Sequence, residues 1–407
     1  MAGATIDHLV SVVVFIGALV LFIGLFNQTV QTAIIYQRHR YLATKCSDLL
    51  DNMLLNPGYP ENWGRSNCTP ASFGLQDPEF TQYRLSPFSL MRLVSSYGEP
   101  VYYPKTGLYY SNITMGFGDF LLVSFTEAIN YSTVTRLLGI NGTYGFQLTI
   151  TPIITVSISE VQSNPLKLDV SVTGAGFPLS NANISYCFIT VEATGGQGAY
   201  PAFTTDYGTT YTNNEGSAIL NFAVDGTSES YVFIAYAHLS GLIGVGYHEH
   251  VTHDENYVVP FVADFEERKV LIGHSYDVHG GDNTAAIAYN ATFVMLTEDF
   301  TLREMPMENS TGKVGKINYG EGKPYKEITI PTYNPGILVI TYRKSAQETG
   351  VVLMPWGISS MGFPVVFGGE PSGREWVATD MRQVIVNGVA YQAKLLLWSL
   401  KGNGVVG

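Results

Sequence analysis

The sequence predicts an α+β protein in which a long N-terminal helix, hydrophobic and then amphipathic, precedes two or more antiparallel β-sandwich domains. The stretch from Leu9 to Phe26 carries no charge in 18 positions. A helical spacing of apolar residues then continues to Leu55, and the first proline is Pro57. From Pro165 onward, short runs alternate apolar and polar positions between turns, which is the periodicity of strands.

This pattern divides the chain into four segments. Residues 1–56 form the helix, 57–160 a mixed region packed on it, 161–256 a β-sandwich and 257–407 a C-terminal β-rich domain. Within the mixed region, short helices are predicted near Pro87–Ser96 and Thr133–Leu138. The Gly-rich piece Gly241–Gly246 lacks the βαβ context of a phosphate-binding loop and is interpreted as a turn.

The composition limits the classes of partner. The chain has 407 residues, of which 46% are hydrophobic and only 14% charged, and the formal net charge is −12. Nucleic acid is not an expected partner, because phosphate binding requires basic patches and none is visible. A surface rich in Tyr, Thr, Ser and Asn suits close packing against copies of itself or against other surfaces.

The first apolar run is long enough to cross a membrane, since a bilayer core of about 30 Å needs about 20 helical residues. A cleaved secretory signal would need a basic N-terminal region, and residues 1–8 contain no Lys or Arg. The run could instead be a buried core helix or an ordinary single-span anchor. Arg38, Arg40 and Lys45 follow the span, which the positive-inside rule would place in the cytoplasm. The β-rich, glycosylatable remainder favours the outside instead.

The helix does not give way to a flexible linker after the span. Apolar residues recur at near-helical spacing beyond it, at Ile34, Tyr41, Cys46, Leu49, Leu50, Met53 and Leu54. The second half of the helix therefore offers an apolar stripe on which a folded domain can pack.

Three stretches then resemble a known family. They are GATIDHLVSVVVFIGALVLF, RYLATKCSDLLDNMLLNPGYPENWG and FGLQDPEFTQYRLSPFSLMRLVSSYG. Together they are similar to archaeal type IV pilin-like proteins of the class III signal-peptide group, in which a hydrophobic helix precedes a Leu-Leu, Pro-Gly-x-Pro-x-x-Trp turn and a Gly-Leu segment. Here these are Leu54–Leu55, Pro57–Trp63 and Gly74–Leu75, and the resemblance covers about residues 1–155.

The resemblance implies a leader cut and a filament role for the first turn. Gly3–Ala4 is the best candidate cut, although the basic leader typical of the family is not seen before it. The family's acidic residue maps onto Asp7, which would pair with the terminal amine of a neighbouring subunit. Alternatively, Asp7 only favours the positive end of the helix dipole, with Thr5 as the N-cap.

A second resemblance lies in the β-sandwich segment. The strings GFPLSNANISY, Gly176–Tyr186, and TNNEGSAILNF, Thr212–Phe222, are similar to carboxypeptidase-regulatory-like and bacterial Ig-like extracellular modules. This resemblance implies a structural spacer or an adhesive module rather than an active site. The C-terminal segment resembles no family.

Cysteines and glycosylation triplets are consistent with an extracellular body. Cys46 and Cys68 are a candidate disulfide, and the alternative is that the cysteines are small buried apolar residues. Seven N-x-[ST] triplets lie in the part placed outside, and chance in an Asn- and Thr-rich chain is the alternative. They begin at Asn67, Asn112, Asn130, Asn141, Asn183, Asn290 and Asn309.

The histidine-rich junction is the sharpest candidate for chemistry. Strand spacing puts His248 and His250 on one face, and metal ligation with His253, His274 and His279 is one hypothesis. A polar linker with a loop is the alternative. The H-E-x-x-H pattern fails at Thr252, and Gly273–Asp277 fails the G-x-S-x-G pattern. We therefore expect no enzyme activity and no cofactor, with a metal at this junction as the exception.

The function implied is a structural subunit of an extracellular filament on an archaeal cell surface, anchored in the membrane before assembly. Copies would bundle through the N-terminal helix, and the exposed β domains would make lateral contacts or adhere to surface glycans or other cells. A non-polymerising anchored adhesion protein and a surface metal-binding protein or metalloenzyme are the competing hypotheses. The helix residues expected to carry assembly are Asp7, Leu9, Val13, Phe15, Gly17, Leu21, Gly24 and Phe26.

Overall fold

The computed structural model describes residues 2–66, 68–80, 82–94, 101–103, 107–115, 119–124, 129–192, 199–252, 257–275, 286–315, 325–345, 348–357, 362–374 and 376–400. The helices are α1 (Ala2–Leu55), α2 (Pro87–Val94) and α3 (Tyr131–Leu137), with a 3₁₀ turn at Trp63–Arg65. The strands are β1 (Val101–Tyr103), β2 (Leu108–Met115), β3 (Asp119–Ser124), β4 (Tyr144–Pro152), β5 (Ile154–Ser163), β6 (Leu166–Gly174), β7 (Phe177–Pro178), β8 (Asn183–Glu192), β9 (Ala202–Tyr211), β10 (Ser217–Phe222), β11 (Tyr231–Leu239), β12 (Leu242–His250), β13 (Val258–Asp264), β14 (Lys269–His274), β15 (Ile287–Leu296), β16 (Leu302–Met305), β17 (Thr311–Val314), β18 (Tyr325–Thr329), β19 (Gly336–Arg343), β20 (Thr349–Trp356), β21 (Val365–Gly368), β22 (Ala378–Val386) and β23 (Val389–Ser399). One long helix followed by many strands confirms the α+β class.

Helix α1 is continuous over 54 residues, which corresponds to a rod of about 80 Å at about 1.5 Å per residue. It ends at Leu55 because Pro57 cannot continue the hydrogen-bond ladder. The amides of Leu75 and Gln76 donate to the carbonyls of Met53 and Asn56 at 2.8 and 3.0 Å. The segment that follows the helix thus satisfies the carbonyl of Met53 in its last turn and that of Asn56 just beyond it.

The Pro-Gly-x-Pro-x-x-Trp segment folds back onto the end of α1. The buried Trp63 donates its indole N–H to the carbonyls of Pro57 and Gly74, at 2.9 and 3.0 Å. A Cβ on Gly74 would lie 2.1 Å from the carbonyl oxygen of Asn56, so only glycine fits there. The guanidinium of Arg92, also buried, donates to the carbonyls of Ser66 and Cys68 behind this turn.

The C-terminal hairpin returns to the beginning of the body. Strand β23 pairs antiparallel with both β22 and β4, and β21 covers the other side of β4. A single bridge between Ile243 and Val389 extends this sheet to β12, β11, β8 and β9. Strands from residues 57–160, 161–256 and 257–407 therefore share one sheet. The predicted divisions after residues 160 and 256 do not coincide with sheet boundaries.

Strands β5, β6 and β10 form a second sheet that packs on β8 and β11. The two sheets bury a shared cluster that includes Leu168, Phe188, Phe222 and Phe233. Strand β5 also crosses β12 at short range. A Cβ on Gly246 would lie 2.3 Å from the carbonyl oxygen of Val156, so this crossing requires glycine.

Two further sheets complete the body. One has the order β1-β2-β3-β13-β14-β18, in which β3 and β13 are parallel, and the other has the order β16-β15-β19-β20 with β17 paired to β15. The buried Trp356 contacts Phe88 of α2 and Phe265 at ring-centroid distances of 5.3 and 5.7 Å. These aromatic contacts join the C-terminal strands to the segment that follows α1.

The predicted short helices correspond to α2 and α3, and YVFIAYAHL, Tyr231–Leu239, is strand β11. The interpretation of Gly241–Gly246 as a turn is correct only for Gly241, which lies with Ser240 in the turn between β11 and β12; strand β12 begins at Leu242. Within the strand, Gly244 and Gly246 permit the close crossing of β5 and do not mark a turn.

Candidate functional site: an exposed apolar helix on a packed stem

Helix α1 has two halves with different surroundings. Every side chain from residue 6 to residue 38 is exposed, and we call residues 6–38 the free half. Residues 39–55 contact the body, and we call them the packed half. In the described part of the chain, α1 is the one helix with the length and composition to cross a membrane, over Ile6–Leu55, and none of its most apolar 18-residue window is buried. A helix near the N-terminus that meets this test is consistent with membrane anchoring or with secretion.

The sequence-predicted helix residues all lie in the free half and all are exposed. Phe15 and Leu21 have exposed fractions of 67% and 69%, which is extreme for such large apolar side chains. A Cβ built on Gly17 or Gly24 has no atom within 4 Å, so nothing in the subunit requires glycine there. The others, also exposed, are Asp7, Leu9, Val13 and Phe26.

The few polar side chains in the free half include two whose hydrogen bonds are made within the helix, so that they do not require water. Between Asp7 and Arg38 the sequence contains no Asp, Glu, Lys or Arg. The hydroxyls of Thr29 and Thr32 donate to the carbonyls four residues earlier, both at 2.8 Å. Because these bonds stay within the helix, the hydroxyls need no water.

The packed half is held by an apolar stripe. Its buried members are Cys46, Leu49, Leu50, Met53 and Leu54. They contact the β22–β23 hairpin, and the Cys46 thiol lies 3.5 Å from the carbonyl oxygen of Leu395. The predicted packing of a folded region on this stripe is confirmed, although strands near the C-terminus supply much of the contact.

A polar network on one flank of the stripe fixes the rotation of α1. Asp51 accepts hydrogen bonds from Arg382 on β22 and from the hydroxyl of Tyr83, at 3.0 and 3.1 Å. Arg382 also bonds Asp380 and Ser47. Lower on the helix, the ring of His39 lies against Trp376 with ring centroids 3.4 Å apart.

No sequence pattern marks this network. Arg382 and Trp376 are more than 300 positions from their helix partners, and no spacing in the chain links them. The contact between Arg382 and α1 follows from the pairing of β23 with β4, because that pairing places the neighbouring strand β22 against the helix.

The cysteines do not form the candidate Cys46–Cys68 disulfide, since all three are free thiols. Cys46 is buried against β23, whereas the sulfur of Cys68 lies 2.9 Å from the hydroxyl oxygen of Ser66. Burial raises the pKa of the Cys187 thiol, so this cysteine is protonated and inert at neutral pH.

The glycosylation candidates differ in accessibility. Asn130, Asn141 and Asn309 are exposed, and Asn130 also caps α3 by accepting from the amide of Thr133. Asn183 and Asn290 are half-buried, and the amide nitrogen of Asn290 donates to the carbonyl of Pro201 at 3.1 Å. Asn67 lies outside the described residues, as does the side chain of Asn112.

His248 and His250 do lie on the same face of β12, where both rings contact Tyr231. The Tyr231 hydroxyl donates to Glu160 at 2.8 Å. Burial lowers the pKa of His248, against the opposing effect of the Glu160 carboxylate.

The described residues contain no group of three or more His, Cys, Asp or Glu side chains placed to bind a metal. His274 is buried beside Tyr257, with a ring-centroid distance of 6.4 Å. His253 and His279 lie outside the described part of the chain. The hypothesis of a metal site at this junction therefore gains no support from the three histidines that are described.

Comparison with known proteins gives weak likenesses. No family model matches the chain, and no curated protein matches it. Trypsin-activated α2-macroglobulin from Escherichia coli aligns over 57% of this chain and 18% of its own, at 11% identity and a TM-score of 0.20. Red sea bream transglutaminase aligns over 61% of this chain and 37% of its own, at 10% identity and a TM-score of 0.17. At these scores neither likeness carries an argument about fold or function.

Proposed function

We propose that this protein is a pilin-like structural subunit of an extracellular filament. The free half of α1 would bundle with those of other copies, while the β-rich body is displayed outside for adhesion or lateral contact. Before assembly, the same helix would hold the subunit in the membrane. The organism suggested by the resemblance is archaeal.

The division of α1 into a free and a packed half carries this proposal. An isolated apolar helix with side chains such as Phe22, 66% exposed, cannot remain in water at acceptable cost. It needs lipid or other helices around it on all sides. The packed half is immobilised by the body, so α1 leaves the body as a rigid rod rather than on a flexible tether.

The arrangement of the body also favours a pilin-like subunit. Strands β21, β4, β23 and β22 form an antiparallel group, and its β22–β23 side lies against the packed half. The Trp63 turn then closes over the end of the helix. The two sheets that share the Phe188 cluster suit the sandwich spacer that the Ig-like resemblance implies, with no chemistry required of them.

Assembly is tested with the full chain. We expect protein released from membranes to form filaments that are visible by electron microscopy and are many subunits long. A matched variant, Val13→Lys and Leu21→Lys, places two charges in the free half and leaves the body unchanged. It should not polymerise, because unpaired ammonium groups are costly inside a helical bundle.

A non-polymerising membrane-anchored adhesion protein is the second candidate. It is favoured by the length of the Leu9–Phe26 run, which by itself matches one bilayer crossing. In that case, the detergent-solubilised chain would sediment as a monomer under all conditions, and surface preparations would contain no filaments. This result would contradict the filament proposal and leave the anchoring role in place.

A further inference from the structure

The exposed apolar surface of α1 does not end with the uncharged run Leu9–Phe26. Ile34, Ile35 and Tyr36 are exposed as well, and the exposed fraction of Tyr36 is 67%. They come shortly before Arg38, at the upper end of the free half. Water around such side chains is unfavourable, so the surface that needs a cover continues up to the boundary with the packed half.

The length of this surface matches the thickness of a bilayer. Between Asp7 and Arg38 the helix rises by about 46 Å, at about 1.5 Å per residue. A bilayer is about 40–45 Å thick when its headgroup layers are included. A membrane that covers the free half therefore places Asp7 in one headgroup layer and Arg38 in the other.

The charges near the upper boundary are all basic. Between Asp7 and Asp48 the sequence contains no Asp or Glu, although the whole chain has 34 acidic and 22 basic residues. Arg38 and Arg40 are exposed, and neither forms an ion pair with any residue that the structure describes. A basic cluster on an acidic protein fits an anionic partner.

The two arginines lie on different sides of the helix, about 160° apart, because one turn has about 3.6 residues. On the side that faces the body, His39 contacts Trp376 with ring centroids 3.4 Å apart, and Trp376 is still 54% exposed. Tyr41 is exposed one position after Arg40. We call Arg38, Arg40, Tyr41 and Trp376 the collar. A docked protein would contact one side of the helix, whereas lipid headgroups surround it.

We propose that the collar binds the headgroup layer of an anionic phospholipid membrane, with Arg38 and Arg40 on lipid phosphates. This inference rests on the membrane-held stage of the proposed function. Guanidinium groups bind phosphate oxygens through paired N–H donors. Trp376 and Tyr41 suit the same layer, because their rings are apolar at one end and polar at the other. Since Trp376 belongs to the body, its insertion seats the body on the membrane surface.

Lipid selectivity of the full chain tests the arginines. The chain is reconstituted into phosphatidylcholine vesicles, and electron spin resonance compares the immobilised fractions of spin-labelled phosphatidylglycerol and spin-labelled phosphatidylcholine. We expect a preference for phosphatidylglycerol that weakens in high salt and is lost when Arg38→Gln and Arg40→Gln are combined. Arg303→Gln, at an exposed site on β16, removes the same charge elsewhere and should leave the preference unchanged.

Fluorescence quenching tests the position of Trp376. The other tryptophans, Trp63, Trp356 and Trp398, are buried in the body. A spin label on the lipid headgroup should quench the wild type more strongly than Trp376→Phe. A label deep in the acyl chains should quench the two chains equally.

Four outcomes would count against the collar. Equal immobilisation of the two lipids by the wild type would overturn it and leave the membrane anchor standing. Headgroup quenching that is the same with and without Trp376 would show that the body stands clear of the lipid. An arginine double variant that keeps the lipid preference but fails to polymerise would show that the arginines contact another copy. A chain that does not enter vesicles would also contradict the membrane-held stage of the proposed function.

Discussion

Arg382 on β22 donates hydrogen bonds to both carboxylate oxygens of Asp51 on α1, from Nε to Oδ1 at 3.0 Å and from Nη2 to Oδ2 at 3.2 Å. The same guanidinium reaches Asp380 at 2.8 Å and the hydroxyl of Ser47 at 3.0 Å. Because the partners are 331 positions apart, this network ties the C-terminal hairpin to the stem of the helix. A planar guanidinium that bonds two oxygens at once also fixes the rotation of α1 relative to the sheet.

Replacing Arg382 with Met should loosen the helix from the hairpin. The side chain of Arg382 is 24% exposed and that of Asp51 36%, so solvent screens the ion pair in part. We expect a loss of about 1–2 kcal/mol in the free energy of unfolding of the body. Urea denaturation of the full chain in detergent, followed by tryptophan fluorescence, measures this loss.

Arg303 on β16 is exposed and supplies the matched control. Arg303→Met removes the same charge and should change the free energy of unfolding by less than about 0.5 kcal/mol. Equal effects of the two variants would mean that net charge, and not the Asp51 network, determines the stability.

The network also predicts a loss of stability in acid. Burial alone would raise the pKa of Asp380, but hydrogen bonds from Arg382, Ser47 and the amide of Met381 outweigh it and hold the pKa below its usual value. A carboxyl with a depressed pKa stabilises the fold above its unfolded pKa of about 3.9 and loses that contribution as the pH falls further. The urea midpoint should therefore decrease below about pH 4.

The matched variant for this pH dependence is Asp380→Asn. Its urea midpoint should be lower than that of the wild type at pH 7, and the two midpoints should converge as the pH falls through the depressed pKa of Asp380, because the wild-type side chain then also becomes neutral. Midpoints that remain equally separated over this range would show that another carboxyl controls the acid transition.

Local sequence patterns are sufficient for the elements whose environment is uniform. The uninterrupted apolar run and the first proline predict a helix ending near Leu55, because a helix signal depends only on nearby residues. Strand β11 can also be predicted from its own sequence, because β-branched and aromatic residues are concentrated there, as is typical of a buried strand. The exposed residues of the free half can also be named from the sequence.

Pairings between distant segments cannot be read in this way. In the sequence, the glycines of β12 suggest a turn. In the structure, they are needed because strand β5, which is distant in the chain, crosses β12 at short range. The insertion of β23 between β4 and β22 depends on which surfaces fit together, and no spacing in the chain encodes that fit. The Asp51 network is invisible in the sequence for the same reason.

The crossing of β5 over β12 leads to a second stability prediction. Gly246→Ala should destabilise the body by about 1–3 kcal/mol, because the new methyl group would meet the carbonyl of Val156 and backbone must move. Circular dichroism during thermal unfolding measures the effect. Gly24→Ala is the control, since the space around Gly24 is open and alanine is the better helix former. A Gly246→Ala chain as stable as the wild type would mean that the two strands can separate freely.

Trp63→Phe tests the turn that closes over the end of α1. Phenylalanine can keep much of the packing against Phe73, whose ring lies 6.0 Å away, but it loses the indole N–H. The carbonyls of Pro57 and Gly74 would then lack this donor. We expect a loss of about 1–3 kcal/mol and faster amide exchange at Leu75 and Gln76. Unchanged exchange at these two amides would show that the helix end does not depend on the tryptophan.

Gly24→Leu separates folding from assembly. Gly24 contacts nothing in the subunit, so its side chain matters only where another helix approaches. Glycine allows close backbone approach in a bundle of apolar helices, and leucine would force neighbouring helices apart. We expect an unchanged urea midpoint for the body and a polymerisation threshold raised by about tenfold, corresponding to about 1.4 kcal/mol per contact. Ala33→Leu, at an exposed site nine positions further on and therefore on the opposite side of the helix, adds volume away from Gly24 and should polymerise normally. If Gly24→Leu polymerises as readily as this control, the helices do not meet at Gly24.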